Sequence, residues 1–335
     1  MSLASFHWQS SAPGALLERV KAAPLEPGPD ELLLEVLHCG LCHSDVSMLD
    51  NAWGMSSYPL VPGHEAVGRV IAVGQGVDSG LLGELRGVGW FAGNCGHCEQ
   101  CLGGRANLCD QAEATIVGRT GAFASTVTVH QAWAIPLPAG LEAADAGPLF
   151  CGGITVFAPL FDEGVSPTAR VGVIGVGGLG HLALQFCRAW GCEVVALTTS
   201  PSKAAEAKRL GAHSVVTLAE LPKHAGRFDV IINTANQPLD WPAVVGALAP
   251  LGKLHLLGAV LEPIPLNAFD LIVTRRAVTG SPTSSPATLR KMMTFCARHG
   301  IQPMVEHLPM AEINLAVERL RQGDVRFRFV LDGPA

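Results

Sequence analysis

Four short apolar runs in the second half of the chain, Arg170–Ile174, Glu193–Leu197, Phe228–Asn233 and Lys253–Leu257, alternate with helical stretches such as Leu179–Trp190 and Lys203–Leu210. A strand that is apolar on both sides must be covered on both sides, and helical crossovers are what cover it. The rhythm predicts a doubly wound parallel sheet beginning near Cys151. Its first strand runs directly into Gly175-Val-Gly177-Gly178-Leu179-Gly180, which opens a helix. Gly175 permits the tight turn, Gly177 lets backbone approach a pyrophosphate, and Gly180 lets the helix pack against the strand. A glycine run alone is weak evidence; following a buried strand and opening a helix, it reads as a dinucleotide-binding fingerprint. His181, next in line, is expected on the helix surface.

The first half follows a different rhythm. Glu31–Leu37, Ala66–Val73 and Ala124–Val129 are short strand-like runs separated by Gly and Pro, which reads as an all-β barrel or folded sandwich. After the α/β region come two helices, near Pro286–His299 and Met310–Arg321, and a closing strand, Arg326–Leu331. The organisation expected is a β domain over 1–147, a dinucleotide domain over 148–282 and a return segment over 283–335.

Composition narrows the function classes. The chain has 335 residues, 48% hydrophobic and 16% charged, with net charge −6. Such a chain builds filled cores and lacks the basic field that would gather nucleic acid or anionic membrane. No export signal or spanning segment is read, so a cytoplasmic protein with ten reduced thiols is expected. Cys39, Cys187, Cys192 and Cys296 read as small buried hydrophobes.

Four of the remaining cysteines form Cys95-x2-Cys98-x2-Cys101-x7-Cys109. This compact set matches tetrahedral structural zinc. An iron–sulfur cluster is the rival, but its bacterial pattern ends with a gap of three followed by Pro. Here the gap is seven and Asp110 follows. His97 lies inside the run, yet four sulfurs already fill the shell. Elsewhere, Gly40-Leu41-Cys42-His43-Ser44-Asp45, Pro62-Gly63-His64-Glu65 and Leu149-Phe150-Cys151-Gly152-Gly153 carry ligand types in glycine-flanked turns. One His with two Cys leaves a fourth position open, the pattern of a catalytic site.

The segments GLCHSD, PGHEAVGRV, CGHCEQCLGGRANLC, PLFCGGIT and GVGGLG occur in that order. Across nearly its whole length the chain thereby resembles the medium-chain, zinc-dependent alcohol dehydrogenases. It is most similar to their cinnamyl-alcohol-dehydrogenase branch and to bacterial NADPH-dependent aldehyde reductases, through MLDNAWGMSSYPLVPGHE, QPLDWPAV and GDVRFRFVL. The resemblance implies a GroES-like β-barrel catalytic domain, a Rossmann domain and two zinc ions per chain. It implies Cys42, His64 and Cys151 as catalytic ligands, Asp45 as the acceptor that fixes the His64 tautomer, and Glu65 behind the metal. Two thiolates would neutralise the ion and leave a mild Lewis acid for aldehyde/alcohol interconversion. Ser44 would pass a proton between bulk water and the reacting oxygen. Many relatives extend that relay with a His where this chain has Ser47, so the relay is expected to be shorter here. The resemblance also implies cofactor contacts from His43, Thr155, Thr234, Gly258, Ala259, Val260 and Arg326, a substrate pocket lined by Trp53, Met55 and Phe91, and a homodimer. Rival readings are NAD-dependent alcohol oxidation, a zinc-free quinone reductase and a non-catalytic zinc-stabilised binding protein. The trio Cys42, His64 and Cys151 disfavours the last two.

Cofactor choice is read from the turn after the second parallel strand. An NAD enzyme places a carboxylate there for the ribose 2′-hydroxyl. This chain has Thr198-Thr199-Ser200-Pro201-Ser202-Lys203, with hydroxyls and one cation for a 2′-phosphate. The bland alternative is a polar turn in which Ser200 or Ser202 caps a helix. The first reading predicts NADP(H), with reduction of the aldehyde as the working direction.

Overall fold

The computed structural model describes residues 5–333. The chain forms two compact units: one of residues up to Ile154 together with those from Thr283 onward, the other Thr155–Pro282. The division falls a few residues after the sequence-based boundary at 148, so Cys151 stays with the first unit.

The first unit is built on the strand Glu31–Leu41, eleven residues long. Its alternation buries Leu32, Leu34 and Val36 on one side, and bulges at Leu33/Leu34 and Val36/His38 bend it. It runs four residues beyond the Leu37 read from sequence and thereby delivers Cys42. The sheet order is Val305–Pro309, Arg328–Asp332, Glu31–Leu41, Ala66–Val73, Leu85–Val88, Ile135–Pro136, with Thr126–His130 also paired to Glu31–Leu41. All pairs are antiparallel except the first, where Val305–Pro309 lies parallel to Arg328–Asp332. The closing strand therefore completes the sheet beside the strand that carries Cys42. The return helices are Pro286–His299, capped by Ser285, and Ile313–Arg321 after a short 3₁₀ turn.

The second unit holds six parallel strands in the order Ser214–Thr217, Glu193–Thr198, Arg170–Ile174, Phe228–Asn233, Leu248–Leu256, Ala277–Gly280. Counted within the unit this is 3-2-1-4-5-6, the order whose reversal creates a ligand crevice at the strands' carboxyl ends. Val195, Leu197, Phe228, Ile231, Val244 and Leu254 pack into one core cluster. Two details differ from the sequence reading. The strand expected at Lys253 begins at Leu248, and the edge strand Ala277–Gly280 was not read because it is short and only half-buried. Among the described residues no helix is long and apolar enough to cross a membrane.

Candidate functional site

Cys42 caps the helix His43–Leu49, and Asp45, in that helix's first turn, reaches back to it. Asp45 Oδ2 accepts the Cys42 amide at 2.9 Å, and Oδ1 accepts both the Gly63 amide and His64 Nδ1 at 2.9 Å each. One fully buried carboxylate thus joins two segments far apart in sequence. Gly63 is needed there: its φ is +96°, and a Cβ would collide with the backbone of Phe123. With Nδ1 held, His64 directs Nε2 inward, and this buried nitrogen has no hydrogen-bond partner.

Cys151 follows the 3₁₀ turn Gly147–Phe150 and heads the helix Gly152–Asp162. Its sulfur lies 4.0 Å from that of Cys42. Ligand atoms of Cys42, His64, Glu65 and Cys151 all lie within 4.8 Å of one another, and all four residues are buried. At this separation two thiols do not both ionise unaided. Cys151, then Arg328 and His64, hold the Cys42 thiol well below its usual range, while Cys42 and burial push Cys151 well above it. Burial opposes a charge on His64, but Asp45 holds its pKa well above the ordinary histidine value. An orphaned imidazole nitrogen facing two sulfurs, with its other nitrogen fixed by a carboxylate, fits a zinc ion with an open position.

Glu65 is fully buried behind these ligands and pairs with Arg328 on the closing strand. Burial raises its carboxyl to about 7, with Arg328 opposing. Arg328 is the residue that sequence reading missed in this cluster. Arg326 was singled out in the same RFRF segment, yet its side chain is exposed and its amide donates to Glu306 Oε1 at 2.7 Å. Alternation could not have separated the two, since residues two apart share a face; the strand begins only at Arg328, and Arg328 to Leu331 are all buried. Ser44 is half-buried, its hydroxyl 3.6 Å from the Cys42 sulfur. Ser47 is half-buried on the same helix, and His43 is exposed.

A cavity of about 590 Å³ in the same unit is lined by Met55, Trp90, Phe91, Glu113, Val117 and Arg119 among others. Met55 and Phe91 were expected there. Trp53 instead packs edge-on against Trp90, with ring centres 5.9 Å apart. Trp90 went unnoticed in sequence, although its ring stands at 83° to that of His64, 5.1 Å away. It forms a wall common to the cavity and the metal cluster.

Cys95, Cys98, Cys101 and Cys109 gather separately, their sulfurs within 4.8 Å of one another. Amide and side-chain N–H groups surround them: Cys98 N–H points at Cys95 Sγ (3.4 Å), Gln111 N–H at Cys109 Sγ (3.3 Å) and Asn94 Nδ2 at Cys101 Sγ (3.2 Å). The amides of His97 and Cys98 bring Cys95 down to about 6. Such donors favour thiolates, as a zinc-bound set requires. His97 is exposed, and its ring Nδ1 lies 2.8 Å from the Cys95 carbonyl, turned from the sulfurs' shell by that contact.

In the second unit, Gly175, Thr234 and Gly258 meet at the carboxyl ends of three strands. Gly175 adopts φ +88°, and Thr234 Oγ1 donates to the Ile174 carbonyl at 2.7 Å, locking the turn. A Cβ at Gly180 would collide with the Gly175 carbonyl, whereas one at Gly177 would meet open space. The first is the packing role read from sequence for Gly180, and the second leaves room beside Gly177, where a pyrophosphate was expected. Leu179 caps the helix, Gly178 lies half-buried in the turn, and the Gly258-Ala259-Val260 turn hangs from Asn233, whose carbonyl accepts the Gly258 amide at 3.0 Å. Thr155 is half-buried on the helix Gly152–Asp162.

Two expectations are corrected. His181 is fully buried, Nδ1 lying 3.1 Å from the Gly177 carbonyl, because it falls on the helix face that packs against the unit. Thr198 ends the strand rather than following it; it is buried, and its hydroxyl accepts the Ser200 amide at 3.2 Å. Thr199 and Lys203 are exposed, and Lys203 Nζ lies 3.5 Å from the Val176 carbonyl of the glycine turn. Ser200 caps the turn that follows, accepting the Ser202 amide at 3.3 Å, so the capping alternative is realised at this residue.

The profile of the alcohol dehydrogenase GroES-like domain matches residues 28–139, and that of the zinc-binding dehydrogenases matches residues 178–298. An aldehyde reductase, AdhA, of Synechocystis sp. is 49% identical over 91% of this chain and 91% of its own. The solved structure of a cinnamyl alcohol dehydrogenase from Sorghum bicolor superposes with TM-score 0.93 at 33% identity, covering 98% of this chain and 97% of that one. A cinnamyl alcohol dehydrogenase from Helicobacter pylori, solved in complex with NADP(H), gives TM-score 0.90 at 27% identity, covering 98% and 97%.

Proposed function

The chain belongs to the zinc-dependent medium-chain alcohol dehydrogenase family, and from that membership we propose that it reduces aldehydes to primary alcohols with NADPH. The observation that carries the reading is the buried, partnerless Nε2 of His64 facing the sulfurs of Cys42 and Cys151. Those three residues would hold a catalytic zinc, and Cys95, Cys98, Cys101 and Cys109 a structural one, two ions per chain. When bound, the catalytic zinc supplies a Lewis acid toward the carbonyl oxygen and NADPH a hydride toward the carbonyl carbon.

The chain's own residues do the rest. Asp45 holds the His64 ring and the Cys42 amide together, so ligand geometry is set before substrate enters. Glu65 and Arg328 pair behind the ligands and fill that side of the site. Trp90, Phe91 and Met55 give the substrate an apolar wall. Ser44, beside Cys42, hands a proton to the oxygen that becomes the alcohol. Asp45 and Glu65 position and balance charge; neither is assigned a proton step.

Gly175, Gly177 and Gly180 shape the pyrophosphate turn, and Thr199, Ser200 and Lys203 offer the 2′-phosphate two hydroxyls and a cation. Thr198 takes no part because it is buried at the end of the strand, whereas Thr199 and Ser200 reach solvent. Thiolate ligands require a reducing compartment, which supports a cytoplasmic setting. A homodimer completes the reading: Phe269, Ile272 and Val273, near the edge strand Ala277–Gly280, are 66–74% exposed, an apolar patch of the kind subunits cover. The test is kcat/KM with NADPH and NADH over aromatic and aliphatic aldehydes, alongside metal analysis. Two zinc equivalents per chain and a clear NADPH preference are expected. Equal or better use of NADH overturns the cofactor assignment, and no turnover by fully zinc-loaded protein overturns the enzyme.

A further inference from the structure

The cavity beside the metal cluster has a mixed apolar and charged lining. Trp90, Phe91 and Met55 contribute apolar surface, while the segment 112–119 contributes Ala114 and Val117 together with the charges of Glu113 and Arg119. That segment is tied in by strand pairing, Phe91 opposite Ala114 and Gly93 opposite Glu113. Arg119 is paired with two carboxylates. Its Nη2 lies 2.6 Å from Glu31 Oε1 and donates to the Thr128 carbonyl and hydroxyl at 3.2 and 3.1 Å; its Nη1 lies 2.5 Å from Glu113 Oε2. Glu31 Oε2 in turn accepts the Gly28 amide at 2.9 Å. Burial works against a charge on Glu31, but Arg119 and that amide hold its pKa below the ordinary value. Two carboxylates therefore face one guanidinium, leaving one excess negative charge. Glu31 is the inner, better-matched member. Glu113, with a 55% exposed side chain and no partner for Oε1 among the described residues, presents the excess at the cavity.

We propose that Glu113 is a specificity-determining residue that makes the cavity select uncharged and cationic aldehydes with an apolar body and reject those carrying a carboxylate at the far end. The proposal rests on the aldehyde-reductase reading and adds to it the charge class of the substrate. An incoming carboxylate finds the Arg119 charge already matched by two carboxylates, and meets the surplus charge of Glu113. Glu113 is outside the cluster of Cys42, His64, Glu65 and Cys151, so it acts alike on bound substrate and transition state. The effect appears in KM rather than kcat.

The test compares the holoenzyme with Glu113→Gln, which keeps an acceptor for Arg119 while removing the charge. Three aldehydes of one shape serve as probes: benzaldehyde, 4-formylbenzoate and 4-formyl-N,N,N-trimethylanilinium. Because the substituents alter intrinsic reactivity, the quantity read is the variant-to-parent ratio for each probe. For 4-formylbenzoate KM should fall about three- to tenfold at unchanged kcat, the range for one partly solvated charge. KM for benzaldehyde should stay within about twofold, and that for the cation should rise. Added salt should shrink the difference for both charged probes. A uniform change across all three overturns the proposal and leaves Glu113 a structural residue. Should no aldehyde be turned over with either nicotinamide, the aldehyde-reductase reading fails, and binding still decides the charge assignment. Tryptophan fluorescence, with Trp90 in the cavity wall, then follows benzamide and 4-carbamoylbenzoate without turnover. Tighter binding of the anion alone in Glu113→Gln upholds the assignment; an unchanged affinity ratio overturns it.

Discussion

At the scale of single residues, Cys42 and His64 owe their positions to a neighbour that does no chemistry. Cys42 and His64 stand on different segments, and Asp45 alone bonds to both. Cys151 needs no such brace because the turn Gly147–Phe150 is wholly buried. Cys151→Ser should therefore remove one ligand and disturb little else. Turnover should fall by more than the roughly 10–100-fold that losing a residue supporting a ligand costs. Zinc should drop from two equivalents to one, with the melting temperature nearly unchanged. Activity near the parent level would falsify the assignment of Cys151 as a ligand.

At the scale of elements, two features carry distinct forms of stability. The lobe around Cys95–Cys109 has only short elements, a four-residue helix and a three-residue 3₁₀ turn, and little apolar core of its own. A metal ion on the four gathered sulfurs would order it, as in small metal-stabilised modules. Cys101→Ser should lower thermal stability and release one zinc while the catalytic ion stays bound; unchanged melting with both ions retained argues against a structural site. The second feature ties the return strand Val305–Pro309 to the rest of its unit. His307 lies 2.9 Å from Asp145 and 3.1 Å from Asp332, and Asp332 also pairs with His38 at 2.8 Å. Burial opposes the His307 charge, but Asp145 and Asp332 raise its pKa above the usual value. A histidine whose folded pKa is raised adds stability that is complete below its unfolded pKa and is lost as pH rises through the folded one. The melting-temperature gap between parent and His307→Gln should therefore be larger near pH 6 than near pH 8.5, and a gap that is flat or widens with pH contradicts the pairing.

At the scale of the whole molecule, cofactor choice and assembly are the properties to measure. From the sequence, Thr198 was the natural place to introduce a carboxylate against the 2′-phosphate. Its burial changes the choice, since an Asp there would bury a charge at the end of a core strand. Thr199, exposed one residue later, is the cleaner probe. Thr199→Asp should weaken NADPH binding by about 1–3 kcal/mol through repulsion and a lost donor, with NADH affected far less. Equal losses for the two cofactors would remove this turn from the recognition. For assembly, Phe269→Glu should give monomers by light scattering at concentrations where the parent is a dimer. A dimer that persists places the interface elsewhere.

What the sequence determined by itself was chemistry that is local in the chain. Four thiols within fifteen residues, a strand running into Gly175–Gly180, and apolar runs alternating with helices are all set by near-neighbour spacing. They gave the two architectures, the structural metal cluster and the dinucleotide turn, while the catalytic trio needed the family resemblance to link three distant segments. Tertiary structure decided whatever depends on strands distant in sequence lying side by side. Arg328 meets Glu65 only because the closing strand pairs with Glu31–Leu41, and Trp90 meets His64 only because two loops end on one sheet. Burial was decided there as well: Thr198 and His181 are polar residues in turn and helix sequences that solvent would accept, and packing turned both inward. A side chain's burial is a property of what lands on it, and when the covering element comes from elsewhere in the chain no local periodicity records that landing.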